Sequence, residues 1–381
     1  MKRYPSAKAA GLLRRGIYRS LGDERGLALL ITLFVVALVT VLVVDYHFDA
    51  TVELELAANY ASDVQAYSLA MAGVNFARVL LQQDDAEVDG PDELWFQLGQ
   101  VPLCLPPEQL LAMAEAAASE AQAALTPETL PEVGQSAQAC IRLRITDEAA
   151  KLPINALMPP PSPENAAPDR DWRLIFEAFF GRFGIEQEKL EALLDWLDAD
   201  TVPRLHGAED GYYQSLEHPY TAQHGPMRVL GELRLVRGFD AETLAKLFPG
   251  LTPEALADVD LDSNPYLTAY GDRQAKVNLN TADAEVLRAL FAGLLEGAAT
   301  VDELVEEVLV RRQEAPLENV TVLDPLLPEG SVRARLQRVA DVKSSYFRVE
   351  STGVVDVLQK KIVAVLKRQQ GAVSLVFFRV E

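Results

Sequence analysis

The sequence predicts an α+β protein in which a long N-terminal helix packs on a small antiparallel sheet, with a large all-helical domain inserted into the sheet. Two observations predict this fold class. Residues 45–83 contain no proline and a single glycine, and their apolar side chains recur at helical spacing. One strand pattern, at residues 140–146, precedes a long run of helical patterns, and three strand patterns follow it. Because strands must pair in a sheet, the economical interpretation is a helical domain inserted between the first strand and the last three.

The N-terminal helix begins with a hydrophobic segment. Residues 27–44 read LALLITLFVVALVTVLVV and carry no charge, proline or glycine. As a helix this segment is about 27 Å long, close to the hydrocarbon thickness of about 30 Å. Residues 1–26 are rich in lysine and arginine, whereas acidic residues follow the segment. The positive-inside rule therefore predicts a single-pass membrane protein with residues 1–26 in the cytoplasm and everything after residue 44 exported.

Three interpretations of this segment compete. A cleaved secretory signal has an apolar stretch of about 7 to 15 residues and a small-x-small exit, whereas residues 43–46 read VVDY. An ordinary anchor helix is compatible with the length and composition of residues 27–44. The third interpretation uses Arg25 and Gly26 before the apolar run, which together resemble the cleavage site of the prepilin peptidase. That enzyme cuts after glycine, so Leu27 would begin the mature chain and the helix would remain in it.

Beyond the membrane the same helix continues with one apolar face. Residues 27–82 would approach about 84 Å as a continuous helix. Apolar side chains recur three or four residues apart along it, as one helical face requires. The first five are Val52, Leu56, Tyr60, Val64 and Tyr67. A long apolar stripe does not remain in water, so we expect this assembly face to be buried against helices of partner subunits.

Composition limits the kinds of partner. The formal net charge is −21, and the leader is positive, so the exported part is more acidic still. Phosphate binding depends on neutralisation by lysine and arginine, which disfavours a nucleic-acid partner. The acidic balance favours divalent cations or serves solubility.

The two cysteines, Cys104 and Cys140, both lie on the exported side of the chain. Disulfides form and persist in such compartments, so we expect these two residues to pair with each other. The alternative is two separate buried thiols, because spacing alone does not fix connectivity.

The patterns divide the chain into five regions: a leader (1–26), a membrane helix (27–44), a helix with the first part of the α/β domain (45–157), an inserted helical domain (158–340) and C-terminal strands (341–381). Alanine-rich residues 110–125 favour a helix. Helical patterns in the inserted domain lie at 171–183, 188–197, 230–236, 240–247, 252–257, 283–295 and 301–312. The C-terminal strand patterns lie at 346–353, 360–367 and 373–380.

The densest group of candidate ligands lies in the inserted domain. Asp195, Asp198 and Asp200 lie at a helix end, and Glu209 and Asp210 follow in a glycine-containing loop. Calcium takes oxygen ligands, largely carboxylates and carbonyls. The predicted calcium ligands are Asp198, Asp200, Glu209 and Asp210. Their spacing does not match an EF-hand, and the alternative is a solvated acidic loop.

No catalytic site is predicted. His206, His218 and His224 are scattered over loops, and neither H-E-x-x-H nor G-x-S-x-G occurs. Carboxylate pairs act in hydrolases, but a chain this acidic has many such pairs by composition alone. We therefore expect a protein that is not an enzyme.

Residues 277–287, VNLNTADAEVL, form the sharpest motif. We expect Thr281 to cap a helix by accepting from the amide of Ala284, and Asn278 and Asn280 to bond the local backbone. The motif resembles the entry of helix-hairpin-helix modules that bind DNA, so a membrane-anchored DNA-uptake receptor is the alternative function. The neutral to acidic residues that follow repel phosphate, and the sequence favours a helical hairpin used for packing.

Several of these features occur together in one family. Pilins and most pseudopilins carry a glutamate five residues into the mature chain, where this chain has Ile31. The other shared segments are DWLDAD (195–200), GAEDGYY (207–213), PY (219–220), GELRLV (231–236) and VNLNTA (277–282). With the leader ending at Gly26, this combination resembles the K minor pseudopilin family of the general (type II) secretion pathway, over nearly the whole chain.

The resemblance implies a pilin-like α/β domain with an inserted helix-hairpin, SAM-like domain, and in some members bound calcium. It implies a subunit at the tip of the periplasmic pseudopilus, held in the inner membrane of a Gram-negative bacterium, that supports pseudopilus assembly and export of folded proteins across the outer membrane. The implied partners are the I and J minor pseudopilins, other pseudopilins, the prepilin peptidase and the inner-membrane assembly platform, with no nucleic acid. Leu27 would be N-methylated.

Overall fold

The computed structural model describes residues 24–84, 87–100, 104–109, 111–112, 139–160, 169–295, 300–328 and 330–381. The chain divides into two compact units, Met1–Val64 and Gln65–Glu381. Residues 1–23 of the predicted leader, and all but residues 111 and 112 of the predicted alanine-rich helix, lie outside the described residues.

Helix α1, Glu24–Gln83, contains the predicted membrane segment. By length and composition it can cross a membrane: its most apolar window has a mean hydropathy of 3.2, and none of that window is buried. The prediction of one uninterrupted helix from residue 27 to about residue 82 is confirmed.

The other elements lie in the second unit. The strands are Cys104–Leu105 (β1), Ala139–Asp147 (β2), Leu152–Pro153 (β3), Leu267–Thr268 (β4), Val277–Asn278 (β5), Ala340–Asp341 (β6), Tyr346–Val355 (β7), Leu358–Gln369 (β8) and Ala372–Val380 (β9). The α-helices are Leu94–Gln100 (α2), Arg170–Arg182 (α3), Gln187–Leu197 (α4), Asp210–Tyr213 (α5), Ala241–Lys246 (α6), Ala284–Leu295 (α7), Val301–Glu314 (α8) and Ser331–Val339 (α9). Short 3₁₀ helices are Ile154–Leu157, Leu230–Leu235, Ala255–Asp258, Leu261–Ser263 and Val320–Leu326.

Five strands form one antiparallel sheet in the order β1-β2-β7-β8-β9. Strands β2 and β7 are neighbours in this sheet although the helical region separates them in sequence. The last three strands are joined by hairpins, and at the β8–β9 turn Gln370 and Gly371 both have positive φ, as a tight hairpin turn requires. The predicted insertion between the first and the last three strands is therefore confirmed.

The C-terminal part of α1 packs closely on this sheet. Ala66, Ala70 and Ala77 are buried, and Ala70 and Ala77 belong to a core formed with β2, β7 and β8. A Cβ at residue 353 of β7 would collide with the backbone of Ala66, so Gly353 is what allows the helix to lie so close. The helix and the sheet thus share one hydrophobic core.

The inserted region has its own core, built on α3 and α7. Its α3 contributes a row of buried aromatic side chains: Trp172, Phe176, Phe179 and Phe180. A Cβ at Gly293 of α7 would collide with the backbone of Ile175, so this glycine sets the distance between the two helices. The segments predicted as helices at 230–236 and 252–257 are 3₁₀ turns at Leu230–Leu235 and Ala255–Asp258. Two parallel two-residue ladders, β3–β4 and β5–β6, accompany the helices.

The VNLNTA motif joins the insertion to the sheet. The side-chain amide of Asn278 donates to the Ser344 hydroxyl over 2.8 Å and to the Asp147 carboxylate over 3.2 Å. The hydroxyl of Thr281 also donates to Asp147. At the start of α7, which begins at Ala284, Asp283 Oδ1 accepts from the N–H of Glu285. Asp147 is a buried carboxylate, and these donors satisfy its hydrogen-bonding capacity.

Candidate metal centre and assembly surface

The predicted acidic segment folds into a buried group of carboxylates. Asp195 lies in the last turn of α4, Asp198 is the C-cap of that helix, and Glu209 directly precedes α5. One carboxylate oxygen from each lies within 4.8 Å of the other two. All three residues are buried. We call Asp195, Asp198 and Glu209 the open acid group.

The loop between α4 and α5 folds back onto Asp195. The backbone N–H of Arg204 donates to Asp195 Oδ2 over 3.1 Å, and the N–H of Gly207 donates to the carbonyl of Arg204 over 2.9 Å. A Cβ at residue 207 would collide with the Asp195 carboxylate, so only glycine fits there. The guanidinium of Arg237 fixes the same turn by donating to the Gly207 carbonyl over 2.9 Å.

One guanidinium partly neutralises the open acid group. Nη1 of Arg204 lies 2.6 Å from Asp195 Oδ1 and also donates to Asp198 Oδ2. The other oxygen of Asp198 and both carboxylate oxygens of Glu209 are buried without a hydrogen-bond partner. A buried acceptor without a partner costs about 1 to 3 kcal/mol. The arrangement therefore favours a positively charged ligand at these oxygens.

The electrostatics of the open acid group agree with this geometry. Burial, followed by the neighbouring carboxylates of Asp195 and Asp198, raises the pKa of Glu209 to about 7. Burial also raises the pKa of Asp198, although the hydrogen bond from Arg204 acts to lower it. Ionising these groups is costly because each added charge lies near others in a site with little water.

The four predicted metal ligands do not all lie in the open acid group. Asp198 and Glu209 lie in the open acid group. Asp200 Oδ1 accepts from the backbone N–H of Val202 over 2.8 Å. Asp210 Oδ1 accepts from the N–H of Ala222 over 2.8 Å, and this hydrogen bond lowers the pKa of Asp210.

Asp195 belongs to the open acid group, although the sequence analysis did not select it as a ligand. Its spacing of three residues from Asp198 places both side chains on the same side of a helix, and that signal identifies it. Arg204 and Gly207 carry no comparable signal, because their roles depend on how the loop folds back.

A second group of carboxylates lies where α1 leads into α2, and the sequence analysis missed it. Oxygens of Asp84, Asp89 and Glu93 lie within 4.8 Å of one another. The guanidinium of Arg368, on β8, lies 2.8 Å from Asp84 and 2.5 Å from Asp89. Glu93 accepts from the indole N–H of Trp95 over 2.6 Å. We call Asp84, Asp89 and Glu93 the closed acid group, because donors of the protein itself, Arg368 and Trp95, bind all three carboxylates.

The two cysteines lie on neighbouring strands at one edge of the sheet. The structure joins Cys104 of β1 and Cys140 of β2 as a disulfide, with a Cα–Cα distance of 5.3 Å. The bond ties the short edge strand to the strand that leads into the insertion.

Comparisons with known proteins agree with the sequence patterns. The family model for the type II secretion system (T2SS), protein K, matches residues 150–253, which include the whole open acid group. Type II secretion system protein K of Aeromonas hydrophila is 26% identical over 355 residues, covering 91% of this chain and 93% of that protein. The protein of the same description from Klebsiella pneumoniae is 28% identical over 285 residues, covering 70% of each chain. Over nearly its whole length, this chain is similar to type II secretion system protein K.

A solved structure agrees at the level of the fold. The crystal structure of the GspK-GspI-GspJ complex from the enterotoxigenic Escherichia coli type 2 secretion system contains a chain that matches with a TM-score of 0.56 at 20% identity. The match covers 88% of this chain and 99% of that chain. The predicted fold class, a long N-terminal helix on an antiparallel sheet with a helical insertion, is confirmed.

The predicted assembly face of α1 is exposed. The exposed fractions are 38% for Val52, 63% for Leu56, 72% for Tyr60, 45% for Val64 and 38% for Tyr67. These apolar side chains therefore remain available to a partner, and α1 provides a single membrane anchor.

The predicted processing site lies at the beginning of α1. Gly26 and Leu27 fall within the first turn of the helix, which begins at residue 24. No atom lies near the space that a side chain on Gly26 would occupy, and Leu27 is 62% exposed. Nothing in the packing of the described residues requires glycine at this position, and its role in processing stays a prediction.

The alternative of a DNA-binding hairpin has no support in the structure. Asn278 and Asn280 are buried. The side-chain amide of Asn280 donates to the carbonyl of Leu317 over 3.1 Å, and its oxygen accepts from the N–H of Leu317 over 2.8 Å. Both asparagines are thus committed to contacts inside the protein.

Proposed function

We propose that the chain is a non-enzymatic minor pseudopilin of a type II secretion system. Residues 27–44 anchor it in the inner membrane of a Gram-negative bacterium, and the chain after residue 44 lies in the periplasm. The observation that carries the proposal is the exposed apolar face of α1, which follows a membrane segment and leads into a helix buried on the sheet. A helix with these three parts can be held in the bilayer, join a helical bundle and carry a folded domain.

The proposed partners are the I and J minor pseudopilins. GspK of enterotoxigenic E. coli was crystallised with GspI and GspJ, and its fold is similar to that of this chain. The exposed side chains from Val52 to Tyr67 supply the apolar surface that helix–helix packing between subunits needs. Further contacts would link this subunit to other pseudopilins and to the inner-membrane assembly platform.

A position at the tip of the pseudopilus follows from two features. A glutamate inside the membrane is a buried charge that needs a partner. In a pseudopilin with another subunit above it, the proposed partner is the N-terminal amine of that next subunit. This chain has Ile31 at that position and needs no such neighbour. We also propose that the large insertion between β2 and β7 would leave no room for another subunit to stack on this one.

Maturation is proposed to occur between Gly26 and Leu27. The prepilin peptidase would remove residues 1–26 and leave an N-methylated Leu27 at the start of an intact anchor helix. The mass of the mature chain tests this directly. A mature chain that begins near Asp45 would contradict both the processing site and the pseudopilin proposal.

The partner proposal is tested with two matched variants. Leu56 and Leu54 are 63% and 71% exposed, but only Leu56 lies on the assembly face. The full-length chain, co-expressed with the I and J subunits and purified in detergent, should elute from size exclusion as a ternary complex. Leu56→Asp should disrupt the complex because it places a charge in the apolar contact, whereas Leu54→Asp should leave it intact. A chain that stays monomeric with both partners present would overturn the proposal.

We also propose that the inserted domain binds calcium at the open acid group. Asp195, Asp198 and Glu209 offer the hard oxygen ligands that calcium prefers, and three of their buried oxygens lack a hydrogen-bond partner. Bound calcium would neutralise the repulsion among these carboxylates and hold the loop on α4. Asp200 and Asp210 are the two further predicted ligands, and separate variants test them.

A further inference from the structure

A cavity of about 430 Å³ lies between the sheet and the inserted helical region. Arg144 of β2 and Arg348 of β7 line it from the sheet, and Arg312 of α8 lines it from the insertion. Three guanidinium groups therefore border one cavity in a chain whose net charge is −21. Such a concentration of positive charge needs a physical explanation.

Arg348 gives the clearest sign that an acceptor belongs in the cavity. Only 2% of this residue is exposed. Its Nη2 lies 2.6 Å from Asp260, and its Nε lies 3.3 Å from Glu350. Its Nη1 is buried and has no hydrogen-bond partner. A buried charged donor left unpaired is costly, so an acceptor at Nη1 would remove that cost.

The other two arginines also have unused donors. Among the described residues, Arg144 has no ion-pair or hydrogen-bond partner, and its side chain lies on the exposed side of β2. Arg312 donates from Nη1 to the carbonyls of Leu279 and Ala282 and pairs with no carboxylate among the same described residues. Each guanidinium carries five N–H donors, so both can donate to a further ligand.

The acidic residues that line the cavity are already engaged. Glu350 lies between Arg348 and Lys361. Asp283 Oδ1 accepts from the N–H of Glu285, and Asp147 accepts from the hydroxyls of Ser344 and Thr281. The free hydrogen-bonding capacity of the cavity consists mainly of arginine donors. An anionic ligand with several acceptor oxygens matches that capacity.

We propose that this cavity is a binding site for an oxyanion, either a carboxylate or a phosphate group, held by Arg144, Arg312 and Arg348. Guanidinium groups match the planar or tetrahedral oxygen arrangement of such anions and form charge-assisted hydrogen bonds with them. The site lies at the junction between sheet and insertion, so an occupying anion would also tie these two parts together. This inference goes beyond the pseudopilin assignment and does not depend on it.

The test uses the full-length protein in detergent, titrated by calorimetry at low salt with sodium phosphate and, separately, with sodium malonate. At least one of these probes should bind. Arg144→Gln removes one charge-assisted contact and should weaken binding by about tenfold. The matched control is Arg142→Gln: Arg142 is exposed two residues earlier on β2 and does not line the cavity. It should bind the probe as the wild type does.

The two probes distinguish the two sources of the oxyanion. Preference for phosphate would indicate a phosphate group, and preference for malonate would indicate the carboxylates of a polypeptide or small acid. Arg144 is exposed, so its variant should fold, and equal unfolding temperatures of the two variants without anion check this. Arg312→Gln provides a second variant. No binding of either probe at millimolar concentration, or equal binding by the Arg144 and Arg142 variants, would overturn the proposal.

Discussion

The closed and open acid groups contain three carboxylates each, but they differ in how many of these carboxylates pair with other side chains of the protein. In the closed acid group, Arg368 reaches both Asp84 and Asp89, and Glu93 accepts from Trp95. In the open acid group, Arg204 reaches Asp195 and Asp198, whereas Glu209 has no hydrogen-bond partner among the described residues, and His224 Nδ1 lies 3.8 Å from its Oε2. The number of acidic residues is equal, so composition does not separate the two groups.

The difference lies in the position of the arginine that pairs with each acid group. Arg368 is on a central strand of the sheet, and its own side chain is 4% exposed, so its position is fixed by the fold. Arg204 is on the loop that it helps to hold, and its side chain is 22% exposed. The closed acid group therefore has a built-in counter-ion for Asp84 and Asp89, and Glu93 has a hydrogen-bond donor in Trp95. The open acid group, in contrast, has buried oxygens without a hydrogen-bond partner that an external cation could bind.

The largest effect is expected from Arg368→Met. The substitution leaves Asp89 buried without its counter-ion, and removing one partner of a buried ion pair typically costs about 3 to 5 kcal/mol. Chemical unfolding followed by circular dichroism would show this as a loss in the free energy of unfolding. Millimolar calcium should restore part of the loss, because the variant turns the closed acid group into a second open one.

The control for that variant is Arg379→Met. Arg379 also pairs with two carboxylates, Asp260 and Glu381, but its side chain is 35% exposed. Exposed ion pairs contribute at most about 1 kcal/mol. Equal losses for the two variants would show that Arg368 is not the counter-ion on which the closed acid group depends.

The next effect is the response of the wild type to calcium. A ligand that binds only the folded state at a hundred times its dissociation constant stabilises it by about 2.7 kcal/mol. Calcium should raise the unfolding temperature, and a chelator should lower it again. Glu209→Gln should remove most of this response, because it takes a charge from the two oxygens that lack a partner.

The matched control is Glu93→Gln, which makes the same substitution in the closed acid group. It should keep the full calcium response, because the cation binds elsewhere. An unfolding temperature indifferent to both calcium and chelator would leave only a solvated acidic loop and would contradict the calcium proposal.

A smaller effect is expected in the pH dependence of the closed acid group. Burial, and then the charges of Asp84 and Asp89, raise the pKa of Glu93 to about 9 from its usual 4.5. Between these values the folded chain holds a proton that the unfolded chain has released, so the free energy of unfolding falls as the pH rises. Glu93→Gln cannot ionise and should make this decline shallower. Identical slopes for variant and wild type between about pH 5 and pH 9 would contradict the raised pKa.

The sequence predicted the elements whose signals are local. The uninterrupted helix, the insertion and the four main strands follow from periodicity over many residues, which is why α1, β2 and the C-terminal hairpins appear where the patterns place them. The 3₁₀ helices Leu230–Leu235 and Ala255–Asp258 lie where the sequence predicts short helices, because segments of so few turns do not distinguish a 3₁₀ helix from an α-helix.

The acid groups show the limit of local signals. The sequence predicts Asp198 and Glu209 as ligands because they are close in sequence. Their site also depends on Gly207, because a side chain at that position would collide with the Asp195 carboxylate. The closed acid group was missed because its counter-ion, Arg368, is far away in the sequence and reaches it only through the sheet. Pairing across the fold, rather than residue type, decides which acidic cluster remains open.

The smallest effects are expected from Asp200→Asn and Asp210→Asn. Asp200 accepts from Val202, and Asp210 accepts from Ala222 and lies 3.1 Å from His224, so each already has a partner. If calcium binds mainly to the buried oxygens of the open acid group, each variant should weaken calcium binding by less than Glu209→Gln does. Calorimetric titration of all three variants would rank them. A loss for either asparagine variant as large as that for Glu209→Gln would mean that the loop rearranges on binding and brings Asp200 or Asp210 to the cation.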